Sequence, residues 1–219
     1  MVEITLVRHG QAQTGAGDEE SYDRLSDLGR TQAQWLGQHF KATERTFDHM
    51  ICGTLKRHIG TAKAIQENLP LEIQQDPRLN EMDYFGLAKS LEETHAVQFP
   101  TDRESFITHV SQILTVWQSG EIASHLETFE AFQTRTKAII DMAENLGGRV
   151  LLVTSGGFIG MAMRILLQLE VRSYANVLLQ IHNTSLHRYV KAGDHLVLDA
   201  FNAIPHLEMP DRAFARTYI

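Results

Sequence analysis

Glu3-Ile4-Thr5-Leu6-Val7-Arg8-His9-Gly10 is the stretch from which the fold can be read. Ile-Thr-Leu-Val, with its β-branched residues, reads as a buried strand. Arg8 and His9 stand where that strand stops, and Gly10 lets the backbone turn. An imidazole and a guanidinium are thereby set at the carboxyl edge of a sheet, where open α/β folds place their ligands. Arginine there points to an anion, since its planar fork matches phosphate or carboxylate oxygens. Taken alone the tripeptide is a weak motif, and its weight depends on the context downstream.

After the strand comes a long polar loop, residues 9–24, containing Gly15, Gly17 and four acidic residues. Asp18-Glu19-Glu20 within it reads as a solvated face. Ser26 is placed to cap a helix whose face is marked by Leu28, Gln32, Trp35, Leu36, His39 and Phe40. Phe47 to Cys52 reads as a second strand, followed by a helix from Lys56 that ends before Pro70, and Leu71 to Ile73 as a short third strand. Residues 79–86 have no period and read as a loop. From Ala88 to about Thr128 the chain is helical and polar, broken at Pro100, with Phe106, Val110, Ile113, Leu114 and Trp117 as a core-facing stripe. This segment is expected to be a helical insertion over the sheet edge. Phe129 to Leu146 is an amphipathic helix closed by Gly147-Gly148. Val150 to Thr154 is a near-continuous apolar run, the pattern of a central strand covered on both faces. Ser155-Gly156-Gly157 then turns straight into an apolar helix, whose first N–H groups and dipole suit an anion. Residues 178–182, 186–190 and 195–200 read as further strands, and the tail after Pro205 carries no pattern.

Bulk properties bound the function. The chain has 219 residues, 43% hydrophobic and 21% charged, and suits one domain over 1–219. A net charge of −7 argues against a nucleic-acid partner. The lone cysteine, Cys52, rules out an internal disulfide and suggests a reducing, cytoplasmic setting; as a strand-ending thiol it reads as packing. No run is long enough to span a bilayer, the N-terminus lacks the features of a leader, and no Cys/His spacing suggests zinc.

Strands alternating with helices indicate an α/β sandwich with a mostly parallel sheet. Three strand ends then converge: one carrying Arg8 and His9, one leading through Gly53 and Lys56 to Arg57, one opening on Ser155-Gly156-Gly157. Two arginines, a histidine and a helix N-terminus suit a phosphate.

With these segments assembled, the chain resembles the histidine phosphatase superfamily, in its phosphoglycerate mutase-like branch. Leu6-Val7-Arg8-His9-Gly10 matches the family's nucleophile motif. Leu25 to Ala33 matches the opening of its first helix, and Leu55-Lys56-Arg57 with Thr61-Ala62 its second arginine motif. Leu79-Asn80-Glu81 with Gly86 matches its acid loop, and Val150 to Gly157 its second-histidine strand and turn. The resemblance implies a three-layer αβα sandwich and a hydrolase or mutase needing no metal or cofactor. It makes His9 the nucleophile, forming a phosphohistidine, and Glu81 the acid and base. Arg8, Arg57, Ser155 and Gly156 become phosphate-binding residues. The partner is then a small phosphorylated substrate or phosphate, with neither membrane nor nucleic acid, and at most a second copy of the chain in a homodimer.

The chain departs from the family pattern in two places. Ser155 stands where the family has its second histidine. The N–H groups of Gly156 and Gly157 are candidates to substitute in part, and His182, then His58, are candidates to supply an imidazole. Glu81 is followed by Met82 and Asp83 rather than basic and aromatic residues, and the loop after His9 lacks the asparagine of the mutases. These features put a phosphomonoesterase first and a non-catalytic phosphate-ligand or phosphoprotein-binding module second, with a mutase third.

Overall fold

A computed structural model describes residues 2–13 and 18–218. In chain order its elements are β1 (Glu3–Arg8), α1 (Glu19–Tyr22), α2 (Asp27–Ala42), β2 (His49–Cys52), α3 (Lys56–Gln66), β3 (Ile73–Gln75), α4 (Tyr84–His95), α5 (Arg103–Ser119), α6 (Phe129–Leu146), β4 (Arg149–Thr154), α7 (Gly156–Leu167), α8 (Val171–Leu178), β5 (Leu186–Ala192) and β6 (His195–Ala203). Gly15 and Gly17 of the first loop, with Thr14, lie outside the described residues.

The strands form one sheet in the order β3-β2-β4-β1-β5-β6. The first four are mutually parallel; β5 pairs antiparallel with β1, and β6 antiparallel with β5. Successive side chains of a strand point to opposite faces, so the apolar run of β4 serves two cores. Val150 and Leu152 face a cluster built with α4 to α8. Leu151 and Val153 face a smaller one built with α2 and α3. The result is the three-layer αβα sandwich that the alternation of strands and helices indicated.

Register brings the strand ends together. Arg8 lies beside Thr154, and Cys52 beside Val153. Cys52 is fully buried in the smaller cluster, and burial pushes its thiol up to about 11, so it is packing. Ser26 does cap α2, its Oγ accepting from the Gly29 N–H at 3.0 Å.

Two expectations fail locally. Residues 178–182 are not a strand. Val171, Tyr174 and Ala175 bury one face of the short helix α8, and Leu178 is that helix's last residue; the apolar run misled because it is the buried end of a helix and its exit turn. Residues 79–86 are not all loop either. Asp83 caps α4, accepting from Gly86 N–H at 2.8 Å, so the helix starts earlier than Ala88.

Candidate active site

β1 delivers Arg8 and His9 to the sheet edge. His9 is 2% exposed, and its Nδ1 lies 2.7 Å from the Gly10 carbonyl oxygen. A carbonyl only accepts, so Nδ1 carries the hydrogen. Burial, then the charges of Arg57 and Arg8, with a smaller effect of the neighbouring His58, hold the ring well below the usual histidine range. His9 is therefore neutral, and its Nε2 presents a lone pair.

Each arginine is anchored by part of its fork, with donors left over. Arg8 Nη1 donates to the backbone oxygens of Ile181 and Tyr218. Arg57 is 1% exposed, and its Nη1 meets Glu19 at 2.6 Å and Asp23 at 3.1 Å. The Nε of Arg8 and the Nε of Arg57 are both buried without a hydrogen-bond partner among the described residues. Buried donors left unpaired are costly and uncommon. Both arginines also line one cavity, and two guanidinium groups there suit an anion.

Glu81 completes the ring. Its Oε2 accepts from the Gly157 N–H at 2.9 Å, at the start of α7, and its Oε1 from Met82 N–H at 3.0 Å. A Cβ on residue 157 would stand 2.2 Å from Glu81 Oε1, so glycine is needed there for the carboxylate to approach. Arg135 of α6 holds the acid loop from behind, donating to the carbonyls of Arg78, Asn80 and Glu81. Its own charge is balanced by Glu127 at 2.7 Å.

Arg8, His9, Arg57, Glu81 and Gly156 thus line one cavity of about 570 Å³. Ser155 does not join them. It is fully buried, its hydroxyl caps no helix N–H, and it lies 2.6 Å from His58 Nε2. The Gly157 N–H, a candidate stand-in donor, is already taken by Glu81; that of Gly156 remains. Of the two candidate imidazoles, His182 lies against Tyr218 and Asn202 and does not line the cavity. His58 sits with its ring centre 5.7 Å from that of His9, directly behind the site. Burial first, and then Arg57, keep it neutral, and its Nδ1 has no partner among the described residues.

Some site residues escaped the sequence reading. Glu19, expected on a solvated face, lines the cavity and pairs with Arg57; burial outweighs that pairing and raises its carboxyl. Tyr22 places its ring 5.0 Å beneath the Arg57 guanidinium. Tyr218, from the tail, also lines the cavity. Its neighbour Thr217 exchanges hydrogen bonds with Asn183 and accepts one from Gln32. Among the described residues no group of three or more His, Cys, Asp or Glu side chains could hold a metal ion, and no helix is long and apolar enough to cross a membrane.

Buried neutral histidines bear on stability. His187 and His206, outside the cavity, are held down to about 3, in each case chiefly by burial; His9 and His58 are lowered as well. For each, the folded state resists a proton that the unfolded chain takes up near 6.5. Stability is full above that pH and declines as pH falls towards the folded values, by about 1.4 kcal/mol per pH unit for each histidine. The urea midpoint is expected to be clearly lower at pH 5 than at pH 7, and H187Q to flatten the decline. A midpoint that holds steady down to pH 5 contradicts this.

Comparison with known proteins gives a consistent family. The model of the histidine phosphatase superfamily (branch 1) matches residues 4–204. A Yersinia enterocolitica protein named "Probable phosphoglycerate mutase GpmB" is 28% identical over 222 residues, covering 96% of this chain and 97% of that protein. The fold resembles a mycobacterial glucosyl-3-phosphoglycerate phosphatase in complex with VO3, with a TM-score of 0.69 and 22% identity over 93% of this chain and 100% of that one. It also resembles a Bacillus anthracis phosphoglycerate mutase, with a TM-score of 0.68 and 21% identity over 94% of each chain.

Proposed function

The chain belongs to the histidine phosphatase superfamily, branch 1, and from that premise we propose that it is a phosphomonoesterase acting without a metal, through a phosphohistidine on His9. The observation that carries this reading is the neutral His9 lining one cavity with Arg8, Arg57 and Glu81. His9 Nε2 attacks phosphorus in line as the ester P–O bond breaks. Arg8, Arg57 and the Gly156 N–H hold the oxygens on which charge spreads. The Glu81 carboxyl gives its proton to the leaving oxygen, and the alcohol departs. The carboxylate then takes a proton from water, whose oxygen displaces His9 from phosphorus, releasing phosphate and restoring the neutral imidazole.

Ser155 and His58 stand behind the cavity in this proposal, joined by a 2.6 Å hydrogen bond, with the His58 ring centre 5.7 Å from that of His9. They do not touch the phosphoryl group; both are positioning residues that hold the nucleophile and the turn before α7 from behind. The second reading, a binding module for phosphate ligands or phosphoproteins, is favoured by one observation: this pair supplies no positive charge.

Steady-state hydrolysis with EDTA present separates the two readings, and Glu81 tests the proton transfer. E81Q is expected to slow an alkyl phosphate about 10²- to 10³-fold. For 4-nitrophenyl phosphate, whose phenolate leaves without a proton, the loss through the acid step should be several-fold at most. Equal losses on both esters would contradict the acid role. Absence of turnover on every ester, with phosphate still bound, would favour the binding module.

A further inference from the structure

We propose that the site takes phosphate monoesters of uncharged, apolar, ring-bearing alcohols; this rests on reading the cavity as a phosphate-ester site. Arg8 and Arg57 are its only lining cations among the described residues, and residues 14–17 contribute neither lysine nor arginine. The Arg57 charge is already matched by Glu19 and Asp23. Both cations sit at the phosphate end, and among the described residues Glu19 and Glu81 are the only lining carboxylates. A second anionic group on the substrate therefore meets no cation on the walls. Arg103 stands 4.7 Å over the Tyr218 ring and does not itself line the cavity.

The wall beyond the phosphate end is apolar. Met82, Tyr84, Phe85, Phe99, Phe106 and Val110 form it, from the acid loop, α4, α5 and the segment between them. Its rings make a connected row. Tyr22 stands edge-on to His9 at 6.3 Å, Phe85 lies 6.3 Å from Tyr22, and Phe99 stacks on Phe85 at 6.1 Å and 16°. Phe99 is 40% exposed, so part of its ring is open to a ligand at the end of the row. A cavity of about 570 Å³ holds a drug-sized ligand. The row starts at the nucleophile, so whatever lies along it is the leaving group. Aromatic faces prefer another ring or an apolar chain, and a carboxylate moved from water onto them loses hydration without compensation.

The test uses non-hydrolysable phosphonates on the wild-type protein, so leaving-group reactivity plays no part. Calorimetry is expected to show 1-naphthylmethylphosphonate binding at least about tenfold more tightly than 3-phosphonopropionate, which carries a carboxylate, and than inorganic phosphate. F85A, and F99A at the partly exposed position, should each weaken the naphthyl ligand about 3- to 10-fold and leave inorganic phosphate unchanged. Equal or tighter binding of the carboxylate ligand overturns the proposal, as does no binding of either phosphonate. Turnover bears on the catalytic reading alone: an aryl preference in binding without hydrolysis of any ester would sink the phosphatase and leave the ligand class standing.

Discussion

H9A is expected to lower phosphate-ester turnover by about 10⁴-fold or more, the scale seen when a nucleophile is removed from a preassembled site. No other side chain offers an equivalent lone pair at that place. His58 is buried behind His9 with its Nε2 against Ser155, and Glu81 is held by two backbone N–H groups. Anion binding should survive in H9A, because Arg8, Arg57 and the Gly156 N–H are untouched. Quenching the wild type during turnover of a radiolabelled ester should trap an acid-labile, alkali-stable phosphoprotein that H9A does not form. Turnover in H9A within tenfold of wild type would defeat the phosphohistidine route.

Moving one imidazole across the site should reverse the sign of a substitution. S155H alone forces a ring into fully buried space where His58 Nε2 already stands 2.6 Å from the serine oxygen. Overpacking of that kind costs about 1–3 kcal/mol, and kcat is expected to fall at least about tenfold. H58A alone removes the partner of Ser155 and the ring packed behind His9, and should cost about 10²-fold, the scale of a misplaced reacting group. The double variant H58A/S155H returns an imidazole to the turn before α7 and clears the space it needs. It should match the wild type within about threefold. Two damaging changes that cancel are the mark of residues in direct contact. A double variant no more active than the poorer single would sink the idea that Ser155 and His58 act as one unit. kcat normalised to folded protein separates this from stability alone.

The parts of the molecule that could be read in the sequence are those written in short range. Ile4 to Val7 and Val150 to Val153 announced two central strands by β-branched and apolar runs, and Ser26 announced the start of α2. Arg8, His9 and Arg57 could be brought together because each follows the end of a strand, and parallel register does the rest; Glu81 was singled out only by the family resemblance, and it lines the same cavity. What escaped was set by distant segments. Glu19 reads as one carboxylate in an acidic loop until Arg57, 38 residues on, meets it. Tyr218 gains a role only because the tail returns to Gln32 and Asn183. Ser155 was read for its place after β4, but its hydroxyl is claimed by His58, 97 residues away. The strand assigned to residues 178–182 failed for the opposite reason: a local apolar run imitated a strand while tertiary burial was holding the end of a helix.

The turn after His9 leaves its mark on how freely the sequence can drift. A Cβ on residue 10 would lie 2.2 Å from the carbonyl oxygen of Gly29, and one on residue 29 would lie 2.0 Å from that of Gln11. Both obstacles are backbone, so no rotamer change relieves them. Neither position has a neutral neighbour in sequence space, not even alanine, and no single compensating change opens room for one. A saturation library selected for folded protein should come back blank at both sites while the surrounding polar loop accepts change. The nucleophile thus sits beside a position that drift cannot use, and the lineage that carries His9 at this turn inherits two glycines with it.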